Sequence, residues 1–121
     1  MFGHREGCAL FLKNYTEDIG FLGNPVAQEE AWLRKKTHDY SDMICLFLHG
    51  YDLLINDKDN YKIVRSDLNK LTLLYNMVSD FSLVHPSPSS IAQYRELLYN
   101  NQWRKIQSAA KELYDSLTRV R

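Results

Sequence analysis

The sequence predicts an all-α protein, a compact bundle of four main helices plus an N-terminal helix/loop segment. Three observations favour that fold: apolar residues recur at helical spacing, Gly and Pro fall at only a few places, and 45% of the residues are hydrophobic. A chain of 121 residues with this apolar content is expected to form a single helical domain over residues 1–121. Within it, we expect residues 1–23 to be loosely defined and residues 24–121 to form the bundle.

The N-terminal segment has the least regular pattern. Its apolar residues are interrupted by Gly20 and Gly23, which predicts a short helix over about residues 6–15 followed by a loop. Phe21 and Leu22 are expected to anchor that loop on the bundle.

The first main helix is expected to begin at Asn24-Pro25, because asparagine is a good N-cap and proline fits the first helical position. Its apolar periodicity extends to Ile55, which is long for a globular helix. We therefore expect a break near residues 37–41.

The second long helix is expected from Tyr61 to Val84, after a polar turn at residues 56–60. Its apolar residues follow helical spacing over several turns: Ile63, Val64, Leu68, Leu71, Leu74, Tyr75, Val78 and Phe81. The sequence HPSPSS, at residues 85–90, ends it because two prolines within three residues break a helix.

Two further helices complete the predicted bundle. The shorter one is expected over about residues 88–99, with Ser87 or Ser90 as its N-cap. Asn100 and Asn101 make the turn, and the last helix carries a regular apolar stripe at Trp103, Ile106, Ala110, Leu113, Leu117 and Val120.

A polar face runs along the predicted helix that contains residues 38–52. Its members are spaced by four, three, four and three residues: His38, Asp42, Cys45, His49 and Asp52. On a helical wheel they lie opposite the apolar stripe, so a solvated face is expected. A metal site is not expected there, because an exposed face has no neighbouring side chains to hold the ligands. A partner surface is the remaining interpretation, and His38 and His49 would then make it pH-sensitive.

His49 also resembles the reactive histidine of histidine phosphotransfer domains, which are helical bundles of about this size with one exposed histidine on a long helix. In that family a lysine and a glycine follow three and four residues after the histidine, whereas this chain has Asp52 and Leu53. An aspartate at that place would repel a phosphoryl group. The resemblance implies phosphotransfer at His49 as one alternative function.

Asp67 is unusual because its position on the wheel falls inside the apolar stripe, between Leu74 and Val78. A carboxylate there needs a partner. We expect it to pair with an Arg or Lys or to reach solvent at the end of the bundle. The alternative is a carboxyl group with a raised pKa that lines a pocket.

Charge argues against nucleic acid as the main partner, since the 15 Lys and Arg balance the 15 Asp and Glu. The two halves of the sequence differ in charge, because residues 1–60 have a net charge of −4 and residues 61–121 have a net charge of +4. The two halves are therefore expected to attract each other within one chain or across a head-to-tail contact, unless the charge difference arises by chance. The alternative is a helix-turn-helix in the last two helices, whose outward basic face is interrupted by Glu112 and Asp115.

The expected function is non-enzymatic protein binding, as in a small adaptor, chaperone or inhibitor. The sequence has no catalytic, cofactor or metal motif, no membrane span and no secretory signal, so an intracellular, cytoplasmic protein is expected. Apolar side chains outside the main stripes predict a partner surface or a homodimer contact, unless the packing buries them: Trp32, Leu46, Leu53, Leu73, Leu83 and Tyr99.

Overall fold

The computed structural model describes residues 4–35, 39–57, 61 and 63–119, with side chains in the first helix from residue 10 onward. Every regular element in those ranges is helical, which confirms the all-α prediction. The elements are α1 His4–Leu22, α2 Pro25–Glu29, a π-helical segment Glu30–Lys35, α3 Tyr40–Asn56, α4 Arg65–Val84, α5 Ile91–Tyr99 and α6 Asn101–Thr118.

The four long helices form the corners of a square. Helix α1 packs against α3 and α6, and α4 packs against the same two helices from the other side. Helices α3 and α6 therefore occupy opposite corners, and their outer faces point away from each other. The short helix α5 packs against α6 and the π-helical segment.

Helix α1 corrects the prediction of a short helix and a loop. It continues through Gly20 to Leu22, and Ile19 and Leu22 are fully buried. The glycines permit close packing here: a Cβ on Gly23 would lie 2.5 Å from the backbone nitrogen of Lys111 in α6. Gly20 therefore lies within α1, whereas Gly23 directly follows its last residue.

The break predicted near residues 37–41 is confirmed, because α3 begins only at Tyr40. Asp39 has an extended backbone and its carboxylate accepts a hydrogen bond from the Asp42 N–H at 2.7 Å. Asn24 caps α2 in the same way, through the Ala27 N–H at 3.0 Å. Both caps supply acceptors that the first helical turn lacks.

Helices α4 and α5 begin four and three residues after their predicted starts. Helix α4 begins at Arg65 rather than Tyr61, because Val64 before it has φ −59° and ψ 140°, which lies outside the helical region. Helix α5 begins after Ser90, whose hydroxyl accepts from the Gln93 N–H at 3.2 Å. Asn100 joins α5 directly to α6.

The core contains one polar residue that connects three elements. Gln28 in α2 is fully buried, and its side-chain amide donates to the carbonyls of Phe21 and Leu22 at the end of α1. Its Oε1 accepts from Trp103 Nε1 at 2.9 Å and from Gln107 Nε2 at 2.8 Å, both in α6. The amide therefore has all of its hydrogen bonds inside the protein.

Candidate interaction surface

The inner face of α3 is fixed by aromatic and aliphatic contacts with its neighbours. Phe47 is fully buried, and its carbonyl accepts a hydrogen bond from the Tyr15 hydroxyl of α1 at 2.9 Å. Gly50 lies next to the same tyrosine, and a Cβ there would come within 2.5 Å of its ring. Burial raises the pKa of Tyr15 well above its usual value, with nearby Asp18 adding to the shift. These contacts fix the rotation of α3 and therefore which residues face outward.

The outer face of α3 carries the residues of the predicted polar face. Every member that the structure describes is exposed to solvent: Asp42, Cys45, His49 and Asp52. The prediction of a solvated face is therefore confirmed for these four, while His38 lies outside the described residues.

Two exposed leucines interrupt this polar surface. Leu46 is 58% exposed and Leu53 is 45% exposed. They are seven residues apart, so they lie on the same side of the helix about 10 Å from each other along its axis. We call the surface formed by these leucines and the four polar residues the α3 face.

The α3 face is acidic as well as apolar. Helix α3 contains no Lys or Arg in its 17 residues. Neither Asp42 nor Asp52 forms an ion pair with another residue in the described ranges. A surface of this kind attracts basic partners at low ionic strength.

A groove between α1 and α3 borders the α3 face. Its volume is about 160 Å³, and it is lined by Asp18, Phe21, Asp42, Met43 and Leu46. Pockets for small molecules usually measure about 300–1,000 Å³, so this groove is better matched to a side chain of a partner.

The other residues predicted to bind a partner do not join the α3 face. Leu73 is 64% exposed on α4 and Tyr99 is 72% exposed on α5, so they belong to different surfaces. The prediction that Trp32 is a surface residue is wrong, because it is 2% exposed and packs against the Trp103 ring. Trp32 lies in the π-helical segment, where each turn holds more residues and an α-helical wheel misplaces side chains.

Asp67 lies in the first turn of α4 and is 4% exposed. Its carboxylate accepts a hydrogen bond from the Ser116 hydroxyl of α6 at 2.5 Å. The carboxylate has a polar partner, as expected, but it does not reach solvent at the end of the bundle, and the partner that the structure describes is a serine rather than Arg or Lys. The contact links α4 to the end of α6. The sequence could not identify Ser116, because the pairing depends on how the two helices pack.

A basic surface lies at the opposite corner of the bundle, where α5 meets α6. The guanidinium of Arg104 lies 5.3 Å from the centre of the Tyr99 ring, close enough for a cation–π contact. Arg95 and Lys105 are exposed nearby, and none of the three cations forms an ion pair with a residue that the structure describes. We call Arg95, Tyr99, Arg104 and Lys105 the basic corner.

Farther along α6, acidic residues neutralise the basic ones. Lys111 pairs with Asp115 at 3.8 Å, and Lys70 of α4 pairs with Glu112 at 3.5 Å. The unpaired positive charge on α6 is thus concentrated at its N-terminal end, in the basic corner.

The described residues contain no cluster of three or more His, Cys, Asp or Glu side chains that could hold a metal ion. None of the helices in these ranges has the length and apolar content needed to span a bilayer.

The α3 face and the basic corner are thus two surfaces of opposite charge on different sides of the bundle. The chain matches no protein-family model, no curated protein and no solved structure.

Proposed function

We propose that this chain is a non-enzymatic protein-binding module, of the adaptor, chaperone or inhibitor kind, and that it binds a basic amphipathic helix on its α3 face. The observation that carries the proposal is that exposed Leu46 and Leu53 share one helix face with Asp42 and Asp52. Neither carboxylate forms an ion pair within the described residues, and the helix has no Lys or Arg. Helix-binding surfaces typically combine apolar anchor points with complementary charge at their edges.

The two leucines and the adjoining groove supply the apolar part of binding. A partner helix laid along α3 would place its own apolar residues against Leu46 and Leu53, about two turns apart. Its Lys or Arg side chains would then lie over Asp42 and Asp52. We expect the apolar contacts to determine most of the affinity and the charges to determine orientation and association rate.

The test uses two designed peptides of about 18 residues, long enough to form a helix. Both place leucines at positions i, i+3, i+4 and i+7, and one carries lysines elsewhere while the other carries glutamates. We expect the lysine peptide to bind more tightly, by fluorescence anisotropy, and to weaken as salt is added.

Matched variants locate the binding site. Leu46→Ser with Leu53→Ser should lower the affinity for the lysine peptide by about tenfold or more. Leu73→Ser with Leu83→Ser removes two exposed leucines from α4 and should leave that affinity nearly unchanged. Equal affinity for both peptides, or an equal loss in both variants, would contradict the proposal.

We also propose that the protein is cytoplasmic. Cys45 is a free, exposed thiol. Such a thiol is best preserved in a reducing environment, which supports a cytoplasmic location.

The alternative of nucleic-acid binding is supported by one contact, the stacking of Arg104 on the exposed Tyr99. Exposed aromatic rings beside arginines can stack on bases and neutralise phosphates. We expect such binding to be slight and to disappear near physiological salt, because the three cations of the basic corner can make few phosphate contacts. A sequence-specific complex that survives that salt would favour this alternative.

Phosphotransfer at His49 is the other alternative, and it draws support only from the exposure of this histidine on a long helix. Asp52, one turn away, is exposed and acidic. We expect no phosphorylation of His49 by a phosphodonor kinase, and a stable phosphohistidine would establish this alternative.

A further inference from the structure

We infer that the partner of the α3 face is the basic corner of a second copy of this chain, so that copies join head to tail. The inference rests on the proposed function, because it uses the same surface, with α5 and the start of α6 of the second copy in the place of the partner helix. Charge complementarity carries it: the α3 face has unpaired carboxylates, and the basic corner has unpaired cations.

Position within the bundle keeps the two charged surfaces of one chain apart. Helices α3 and α6 lie at opposite corners, so the acidic face and the basic corner of one chain cannot reach each other. The difference of −4 and +4 between the two halves of the sequence is therefore not neutralised across the α3 face within one chain. A second copy offers the missing surface with the right charge.

The basic corner also has an apolar place for a leucine. A groove of about 150 Å³ lies between α2, the π-helical segment and α5, next to the cations. Its lining combines apolar side chains with two arginines and one carboxylate: Pro25, Leu33, Leu98, Tyr99, Arg95, Arg104 and Glu29. With Glu29 included, the side chains of the lining still have a net positive charge. Leu46 or Leu53 of the other copy can enter this groove while Asp42 or Asp52 meets an arginine.

Charge also determines the symmetry of the assembly. A two-fold dimer built on the α3 face would bring Asp42 and Asp52 against the same residues of the other copy, which is repulsive. The head-to-tail contact uses two different surfaces, so each added copy again presents one free α3 face and one free basic corner. Such a contact produces a growing chain or a closed ring rather than an isologous dimer.

The experiment measures the mass of the full chain by sedimentation velocity from about 10 μM to about 1 mM, a range that covers affinities common for weak self-association. At low salt we expect the average mass to rise with concentration, and at high salt to return to that of the monomer. A chain that stays monomeric at low salt over the whole range would overturn the inference.

Charge reversal provides the decisive comparison. Asp42→Lys with Asp52→Lys makes the α3 face basic, and Arg95→Glu with Arg104→Glu makes the basic corner acidic. Each variant alone should associate at least about tenfold more weakly than the natural chain. An equimolar mixture should associate within about threefold of it, because each reversed surface then meets one of opposite charge.

A control variant separates local from overall charge effects. Asn69→Lys, Asn76→Lys and Asp80→Lys alter exposed positions on α4 and raise the net charge as much as the α3 reversal does. It should associate like the natural chain, and circular dichroism should show that all variants stay folded. If the control loses association as much as the α3 reversal does, or if the mixture does not regain association, the inference is overturned.

If the natural chain is monomeric but still binds the lysine peptide at Leu46 and Leu53, the proposed function stands and only the second-copy partner is wrong. If the natural chain is monomeric and also does not bind the lysine peptide, both the inference and the proposed function are refuted.

Discussion

The buried amide of Gln28 should be the most sensitive polar position in the core. We consider Gln28→Met, which keeps the length of the side chain and its helix propensity but removes every hydrogen bond. The Phe21 carbonyl would keep its bond from the Asn24 N–H at 3.1 Å. The Leu22 carbonyl, the indole N–H of Trp103 and the side-chain amide of Gln107 would lose the partner that they share.

The size of the effect follows from these three groups. A buried donor or acceptor left without a partner costs about 1–3 kcal/mol, which gives about 3–9 kcal/mol for three. Burying the apolar methionine side chain offsets part of this, so we expect the free energy of unfolding to fall by about 3–5 kcal/mol. That is a large part of the stability of a typical domain, about 5–15 kcal/mol.

Urea unfolding followed by circular dichroism measures this change. With an m-value of about 2 kcal/mol per molar urea, the midpoint should fall by about 1.5–2.5 M. Gln102→Met is the matched control, because Gln102 is exposed on α6, and it should leave the midpoint nearly unchanged. If Gln28→Met is as stable as this control, the hydrogen bonds of the amide are not needed and the reasoning is refuted.

Three further perturbations test the packing between helices. Gly23→Ala should destabilise the fold by about 1–3 kcal/mol, because the new Cβ would collide with the backbone of Lys111; thermal unfolding measures it. Ser116→Ala should cost about 1.5–3 kcal/mol in urea unfolding, since it removes a hydroxyl donor from the buried Asp67. The pKa of Tyr15 is raised by burial, so its phenol stays protonated in the folded state while the unfolded chain ionises above pH 10.0. The free energy of unfolding is therefore unaffected by Tyr15 below that pH and falls as pH rises, by about 1 kcal/mol near pH 11. In Tyr15→Phe we expect a smaller fall over the same pH range.

Each of these expectations has a comparison that could contradict it. Ser108→Ala alters an exposed serine of α6, and a loss equal to that of Ser116→Ala would show that the contact with Asp67 is unimportant. A Gly23→Ala protein with unchanged thermal stability would show that α1 and α6 can separate without cost. A loss of stability at high pH that is identical in Tyr15→Phe would assign the effect to other groups. Tyr40 is one such group, since burial raises its pKa to about 12.

Periodicity and capping predicted most of the helices. The apolar stripe of α6 is buried at Trp103, Ile106, Ala110 and Leu113, and α4 ends at Val84 as expected. These features depend on residues close together in the chain, which is why the sequence reveals them. The outward position of the α3 polar face follows from the same local rule.

The errors arise where distant residues determine the local structure. Gly20 was expected to interrupt α1, but it provides room for the Tyr114 ring, and a Cβ there would lie 2.7 Å from that ring. Gln28 was not expected in the core, because a glutamine is buried only when partners from another helix satisfy it. Trp32 was placed outside because a π-helical segment cannot be recognised from apolar spacing.

The packing of α1 on α6 has a consequence for how the protein is made. Synthesis proceeds from the N-terminus at about 5–20 residues per second, so α1 leaves the ribosome seconds before α6 exists. A single helix is marginally stable in water, and during that interval α1 lacks its packing against α6. The core therefore closes only after translation of α6, and a nascent chain that stops after α5 should still bind chaperones.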